Sequence, residues 1–150
     1  MLSAHQAFSH HGGTVIRLEL TMGQRKPLVI SESDVARDFW DDTTKGVLGF
    51  RTLFSAGTTA TRALTAGIAD LNAGGWLGLH RHAPAEIYYI VQGHGTVTLD
   101  GADYPVSAGT AVYIPGGTEH GIRNTGPAPL RFFYAFAVDS FDDVTYRFSQ

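Results

Sequence analysis

The sequence contains no cysteine, and its positive charge is sparse and dispersed. Without cysteine the chain can form neither a disulfide framework nor a thiolate nucleophile or metal ligand. Eleven lysines and arginines are scattered among fourteen acidic residues, for a net charge of −3. Because proteins that bind nucleic acids usually carry a clustered basic surface, we expect no nucleic-acid partner and predict a small-molecule partner instead.

Long hydrophobic runs are also missing. The beginning of the chain mixes short apolar pieces with charged residues and histidines. It includes no continuous apolar segment of the length that a signal peptide or a membrane span requires. We therefore expect a cytoplasmic protein that does not associate with a membrane.

A chain of 150 residues has the size of one domain, and its pattern of short segments predicts the organisation. Residues 1–25 are predicted to form an N-terminal arm and a strand, because residues 15–20 alternate apolar and polar side chains. Cap residues precede a predicted short helix at 33–40. From 47 to 138, short apolar runs alternate with turn residues, which is typical of an antiparallel barrel or jelly roll of about eight strands. The predicted fold class is therefore all-β, in a single domain over residues 1–150.

One hairpin within this region is predicted by its turn. The strands Gly95–Leu99 and Ala102–Val106 are separated by Asp100 and Gly101. Asp-Gly readily adopts the positive φ angles that a two-residue turn requires.

Three histidines and one glutamate are spaced as ligands of one metal ion. His80 and His82 lie two residues apart, so on a strand both side chains project to the same side. The insert at 83–85 bends the chain, and Glu86 is expected to return as a third ligand from the same wall of the barrel. His120 completes the predicted set. Imidazole and carboxylate groups are good donors for divalent transition metals.

Two motifs of fixed spacing surround these four residues. The first comprises Gly74, His80, His82, Glu86 and Gly93, and the second comprises Gly109, Pro115, Gly117, His120 and Asn124. Over residues 74–124 they match both signature motifs of the cupin superfamily, which the chain therefore closely resembles. The resemblance implies a cupin double-stranded β-helix with its barrel core at 47–138.

The predicted ligand set leaves the metal ion open to a substrate. An octahedral ion with four protein ligands keeps two positions for water, substrate or oxygen. Three neutral imidazoles and one carboxylate leave a net charge of about +1 on a divalent site, so an anionic or zwitterionic substrate is predicted. The donors accept Fe(II), Mn(II), Ni(II), Co(II) and Zn(II), of which Fe(II) is favoured.

Tyr88 is the candidate catalytic residue. Alternation along the strand directs Tyr88 to the same face as Glu86, and a nearby divalent cation lowers the pKa of a phenol from about 10. This Glu-x-Tyr arrangement resembles the cupin-type dimethylsulfoniopropionate lyases, in which a tyrosine at this place removes the α-proton. Alternatively, Tyr88 is a wall residue that only packs against the ligand. Tyr134 and Tyr146 are candidates for a second tyrosine in the site, beside Tyr88.

The resemblance to these lyases implies a β-elimination in which dimethyl sulfide leaves and acrylate remains. Two alternatives stay open: an iron-dependent oxygenase of the cupin class, and a non-catalytic cupin that binds a small ligand. The resemblance to small cupins, which commonly pair through barrel faces and exchange an N-terminal strand, implies a homodimer, and the strand at 15–20 is available for this exchange.

Overall fold

The computed structural model describes residues 26–150, and the arm and strand predicted within residues 1–25 lie outside the described residues. The described chain is built almost entirely of strands, with single 3-10 turns at Glu32–Asp34 and Phe141–Asp143. In chain order the strands are β1 (Asp38–Phe39), β2 (Gly46–Val47), β3 (Gly49–Phe54), β4 (Thr65–Leu71), β5 (Trp76–Arg81), β6 (Glu86–Gln92), β7 (His94–Leu99), β8 (Ala102–Ser107), β9 (Ala111–Ile114), β10 (His120–Asn124), β11 (Leu130–Phe136) and β12 (Arg147–Phe148).

Two antiparallel sheets enclose the interior. One has the strand order β1-β3-β4-β11-β6-β9, and the other has the order β12-β5-β10-β7-β8, with β2 also pairing to β5. Buried residues of both sheets form one hydrophobic cluster. The predicted all-β fold of the jelly-roll type is confirmed, and residues 26–150 form nine strands of four residues or more rather than about eight.

Alternation of side chains determines which face of each strand lines the interior. Along β6, Tyr88 and Ile90 are buried, whereas Ile87, Tyr89 and Val91 are exposed. Successive side chains of a strand point to opposite faces, so β6 has one face in the core and one on the surface. Its neighbour β11 buries every second side chain in the same way: Leu130, Phe132, Tyr134 and Phe136.

The segment predicted as a helix at 33–40 is mostly extended. Only Glu32–Asp34 form a helical turn, and Val35 already has φ of −105° and ψ of 127°. The next residues pair with β3 as strand β1. A helix of eight residues is too short to be stable by itself, so pairing with a sheet edge prevails. No helix formed by residues 26–150 has the length and hydropathy needed to cross a bilayer.

The hairpin between β7 and β8 forms as its turn residues predict. Asp100 and Gly101 have φ angles of 44° and 83°. Leu99 and Ala102 are paired directly on either side of the turn. Two consecutive residues with positive φ match the right-handed twist of the paired strands, so this turn sets the register of the hairpin.

Two segments of the chain meet over one end of the barrel, which we call the open end. The first connects β1 to β2, and therefore one sheet to the other, and carries Trp40. The second is the C-terminal strap, residues 139–150, which follows β11 and ends in β12, where Phe148 pairs with His80. Trp40 and Tyr146 of the strap pack together, with ring centroids 5.1 Å apart. We call the opposite end of the barrel the closed end.

Candidate metal centre

The three histidines of the motifs converge at the open end of the barrel. His80 lies near the end of β5, His82 directly follows this strand, and His120 begins the neighbouring β10, where it pairs with His80. All three side chains are buried. One ring nitrogen of each lies within 4.8 Å of the others, so the three side chains can hold one metal ion.

Backbone carbonyls fix the tautomer of each imidazole. Nδ1 lies 2.7 Å from the carbonyl oxygen of Gly78 in His80, 2.9 Å from that of Pro84 in His82, and 2.8 Å from that of Thr118 in His120. A carbonyl oxygen only accepts hydrogen bonds, so each Nδ1 carries a proton and Nε2 is the nitrogen that faces the site. This is the arrangement in which histidine binds a metal through Nε2.

Glu86 reaches the histidines from the other sheet. Its Oε2 lies 3.1 Å from Nε2 of His82 and 3.2 Å from Nε2 of His120. The prediction that Glu86 returns on the same wall as His80 is wrong, because β5 and β6 belong to different sheets. The short link between these strands crosses the open end, so the carboxylate faces the imidazoles across the interior.

The convergence of these donors fits a divalent cation. Nε2 of His82 and Nε2 of His120 both lie within hydrogen-bonding distance of one oxygen of Glu86. Nε2 of His80 is buried and has no hydrogen-bonding partner among residues 26–150. Burial, followed by the proximity of His120, lowers the pKa of His80 to about 3. The neutral imidazole is the form that binds metal ions, so a cation among these atoms would satisfy all four groups.

A mostly aromatic cavity lies beside the four donors. It has an empty volume of about 350 Å³, part of which is open to solvent. Seven of its eleven lining residues are aromatic, among them Trp40, Tyr88, Tyr134 and Tyr146, and Glu86 is its one charged residue. No lysine or arginine among the described residues lines it. Apart from Glu86, its polar atoms belong to aromatic side chains.

Tyr88 lies on the cavity wall next to the donors. Its ring is buried, packs 4.5 Å from the Phe132 ring, and lies 6.3 Å from the His120 ring, centroid to centroid. Burial, followed by the negative charge of Glu86, raises the pKa of Tyr88 well above its usual range. A cation bound to Glu86 would offset the part of this rise in the pKa of Tyr88 that comes from the charge of Glu86.

The two other candidate tyrosines also line the cavity. The hydroxyl of Tyr134 lies 3.4 Å from Oγ1 of Thr52, and burial raises the pKa of Tyr134 to about 12. Tyr146 stands over the histidines, with its ring centroid 4.8 Å from that of His80. Burial, followed by the charge of Glu86, raises the pKa of Tyr146 as well. Both tyrosines are therefore within the site rather than on the surface.

Two aromatic residues of the open end were missed by the sequence analysis. The predicted helix at 33–40 includes Trp40, whereas Trp40 lies beside β1 with its ring over the cavity. Phe148 is not among the predicted site residues, and its ring lies 5.4 Å from that of His80. The alternation of Tyr146 and Phe148 around Arg147 was the signal that could have indicated a short strand with both rings facing inward.

The chain is similar to known proteins over the region that contains this site. The sequence profile of the family described as Cupin domain matches residues 67–136, which include all four donors. Dimethylsulfoniopropionate lyase DddW of Ruegeria pomeroyi is 42% identical over 123 residues, a match that covers 82% of this chain and 80% of that protein.

Two further similarities concern proteins of Thermotoga maritima. An oxalate-binding protein is 41% identical over 63 residues, which make up 41% of this chain and 52% of that protein. The crystal structure of a predicted oxalate decarboxylase superposes with a TM-score of 0.67 at 28% identity, covering 74% of this chain and 99% of that chain. The sequence match to the lyase therefore covers about twice as much of this chain as the sequence match to the oxalate-binding protein.

Proposed function

Because this chain belongs to the cupin superfamily, we propose that it is a metal-dependent lyase that converts dimethylsulfoniopropionate to dimethyl sulfide and acrylate. The observation that carries the proposal is the placement of three buried histidines next to Glu86 and to an aromatic cavity with no lysine or arginine of the described residues in its lining. The substrate is a zwitterion, with a carboxylate at one end and a sulfonium at the other. The similarity over 82% of the chain to a lyase of this substrate gives further support.

His80, His82, Glu86 and His120 would hold the divalent ion, with Fe(II) favoured and Mn(II), Ni(II), Co(II) and Zn(II) also accepted by these donors. When bound, such an ion polarises a substrate carboxylate and stabilises negative charge that develops on it. Three imidazole nitrogens that lie within 4.8 Å of one another, with a carboxylate oxygen within hydrogen-bonding distance of two of the imidazoles, support this ligand set. The carbonyl contacts at each Nδ1 keep the imidazoles in the orientation that binding requires.

The aromatic wall suits the cationic end of the substrate. A cation over the face of an aromatic ring, within about 6 Å of its centre, is stabilised by about 0.5–2 kcal/mol. Tyrosine, phenylalanine and tryptophan rings form most of the wall, and none of its residues among those described is cationic. The aromatic wall therefore attracts a sulfonium and places no positive charge against it. A carboxylic acid of the same size without the sulfonium would lack this cation–π stabilisation.

Tyr88 is proposed to accept the α-proton of the substrate as a phenolate, the form that a cation held at Glu86 would favour, and so to become the neutral phenol. As that proton leaves, the electrons of the C–H bond form the double bond of acrylate. The C–S bond breaks, and its electron pair leaves on sulfur as neutral dimethyl sulfide. Tyr88 is favoured because its ring lines the cavity on the same face of β6 as Glu86. Tyr134 and Tyr146 line the same cavity and are the candidates for a second contact with the substrate.

We also propose that the protein is a homodimer. The outer face of β6 presents three exposed apolar side chains, those of Ile87, Tyr89 and Val91, and Tyr113 on the adjacent β9 is exposed as well. An apolar patch on a sheet is commonly covered by a second copy. Light scattering on the eluted protein tests the assembly, and a monomer as the only species would contradict it.

The lyase proposal is tested with Fe(II)-loaded protein and dimethylsulfoniopropionate. Incubations run with and without oxygen, and dimethyl sulfide is followed by gas chromatography while acrylate is followed by liquid chromatography. We expect both products in equal amounts and at equal rates in the two atmospheres, because elimination consumes no oxygen. The matched control is His120→Ala protein treated with the same Fe(II), which should form neither product.

The other outcomes separate the competing functions. Substrate consumption that requires oxygen would indicate a cupin oxygenase and contradict the elimination. No consumption in either atmosphere, with full metal occupancy, would overturn the lyase proposal in favour of a cupin that binds a different small acid.

A further inference from the structure

Trp40 presents a buried hydrogen-bond donor with no acceptor. Its indole Nε1 is inaccessible to solvent and has no partner among residues 26–150. The side chain lines the cavity beside the metal centre. An indole N–H only donates, and burying a donor without an acceptor costs about 1–3 kcal/mol. Such a group at a ligand cavity points to an acceptor that arrives with the ligand.

The ring of Trp40 is held in place near the histidines. The backbone N–H of Trp40 donates to the carbonyl oxygen of Leu48 over 3.1 Å. Tyr146 and Phe148 pack against the indole at centroid distances of 5.1 and 5.7 Å, both at interplanar angles of 63°. The same two rings contact His80, at 4.8 and 5.4 Å. Each of these two rings therefore contacts both the indole of Trp40 and the imidazole of His80. Trp40 accordingly lies at the end of the cavity nearest the histidines.

On the basis of the proposed function, we propose that the Trp40 indole N–H donates a hydrogen bond to the substrate carboxylate. A sulfonium has no lone pair suited to this role and carries positive charge, so the acceptor belongs to the anionic end of the ligand. A carboxylate with one oxygen at the metal centre retains a second oxygen that can accept. Trp40 is thus a positioning residue that orients the acid group and discriminates against ligands without an acceptor there.

The direct test observes the indole proton. Protein labelled with ¹⁵N-tryptophan and loaded with diamagnetic Zn(II) should show two indole signals, because the chain has two tryptophans. Trp76→Phe identifies the signal of Trp40, since Trp76 lines a surface groove with Lys45 and Leu79 instead. Saturating propionate, which carries the carboxylate and no cation, should move the Trp40 proton downfield and leave Trp76 in place. A Trp40 signal that does not move at saturation would overturn the proposal.

Calorimetry gives the corresponding affinity. Trp40→Phe keeps a large aromatic ring and removes the donor, so the Kd of Zn(II)-loaded protein for propionate should rise by about tenfold or more. Trp76→Phe is the matched control and should bind propionate as the wild type does. Equal affinity in Trp40→Phe, at equal zinc content, would contradict the hydrogen bond.

The two proposals fail in different ways. Propionate that does not bind the zinc-loaded wild type would overturn the role of Trp40. If propionate binds and moves the Trp40 signal but the protein leaves dimethylsulfoniopropionate intact, only the lyase proposal is contradicted.

Discussion

The open and closed ends of the barrel share their strands but hold different kinds of side chain. At the closed end, Leu71 and Leu130 pair across β4 and β11 and are fully buried. At the open end, the same β11 finishes at Phe136, which pairs with Glu86 on β6. The closed end packs aliphatic side chains, whereas the aromatic open end surrounds three imidazoles and a carboxylate.

The polar groups of the two ends are also satisfied differently. At the closed end, Asn124 donates to the carbonyl oxygens of Leu71 and Ala128 over 3.0 and 2.8 Å and accepts from the N–H of Gly126 over 2.9 Å. At the open end, the Nε2 of His80 and the indole N–H of Trp40 find no partner among residues 26–150. A buried polar group whose bonds are complete stabilises the fold, and one whose bonds are incomplete indicates where a ligand binds.

The largest effect is expected from removing a donor at the open end. His120→Ala should lose the bound metal and all activity, because the remaining groups cannot replace an imidazole donor. Metal analysis by mass spectrometry after gel filtration checks this expectation. His94→Ala removes an exposed histidine at the start of β7 and should keep full metal content. Stoichiometric metal in His120→Ala would exclude His120 from the ligand set.

A loss of turnover without loss of metal is expected for Tyr88→Phe. The substitution removes only the hydroxyl, so the rate should fall by about 10²-fold or more while the iron content and the unfolding midpoint stay close to those of the wild type. Tyr89→Phe on the exposed face of the same strand is the control. Wild-type turnover by Tyr88→Phe would leave Tyr88 as a wall residue.

Stability should respond most at the closed end. Leu130→Ala removes a fully buried side chain and should lower the free energy of unfolding by about 2–5 kcal/mol, measured in urea on the metal-free protein. Leu64→Ala, at a leucine that is 60% exposed, should change it by less than about 0.5 kcal/mol. Metal content should remain stoichiometric in both variants. Loss of metal from folded Leu130→Ala would show that the two ends are not separable.

The smallest effect is expected on the outer face of β10, the strand that begins with His120. Arg123 and Asp103 form an ion pair of 2.9 Å, and their side chains are 55% and 52% exposed. Exposed pairs are screened by solvent, so Arg123→Ala should keep the unfolding midpoint in urea of the wild type and should bind metal normally. A clear fall in that midpoint would mean that the pair has a structural role beyond its exposed charges.

Local sequence patterns predicted the strands of the barrel better than the segments that lie over its open end. The Asp100-Gly101 hairpin and the inward face of β6 follow from turn chemistry and from alternation, which act over a few residues. The sheet to which Glu86 belongs could not be predicted, because the insert at 83–85 allows the chain either to turn back or to cross over. That choice depends on pairing with β11, more than forty residues further along the chain.

The two segments that lie over the open end have no clear pattern in the sequence. The strands β1 and β12 have two residues each, which is too short for a period to be visible. Each forms by pairing with the edge of a longer strand. The segment before Trp40 pairs with β3, and the segment that contains Phe148 pairs with β5. Pairing between residues distant in the sequence therefore decides which aromatic rings stand over the three histidines.

The C-terminal strap also has a consequence for the order of assembly. His80, His82, Glu86 and His120 all precede Tyr146 and Phe148 in the chain, so a ribosome releases the four donors first. Until the strap docks on β5, its two rings do not stand over the imidazoles. Both rings therefore reach His80 only after all four residues have been synthesised and the strap has docked.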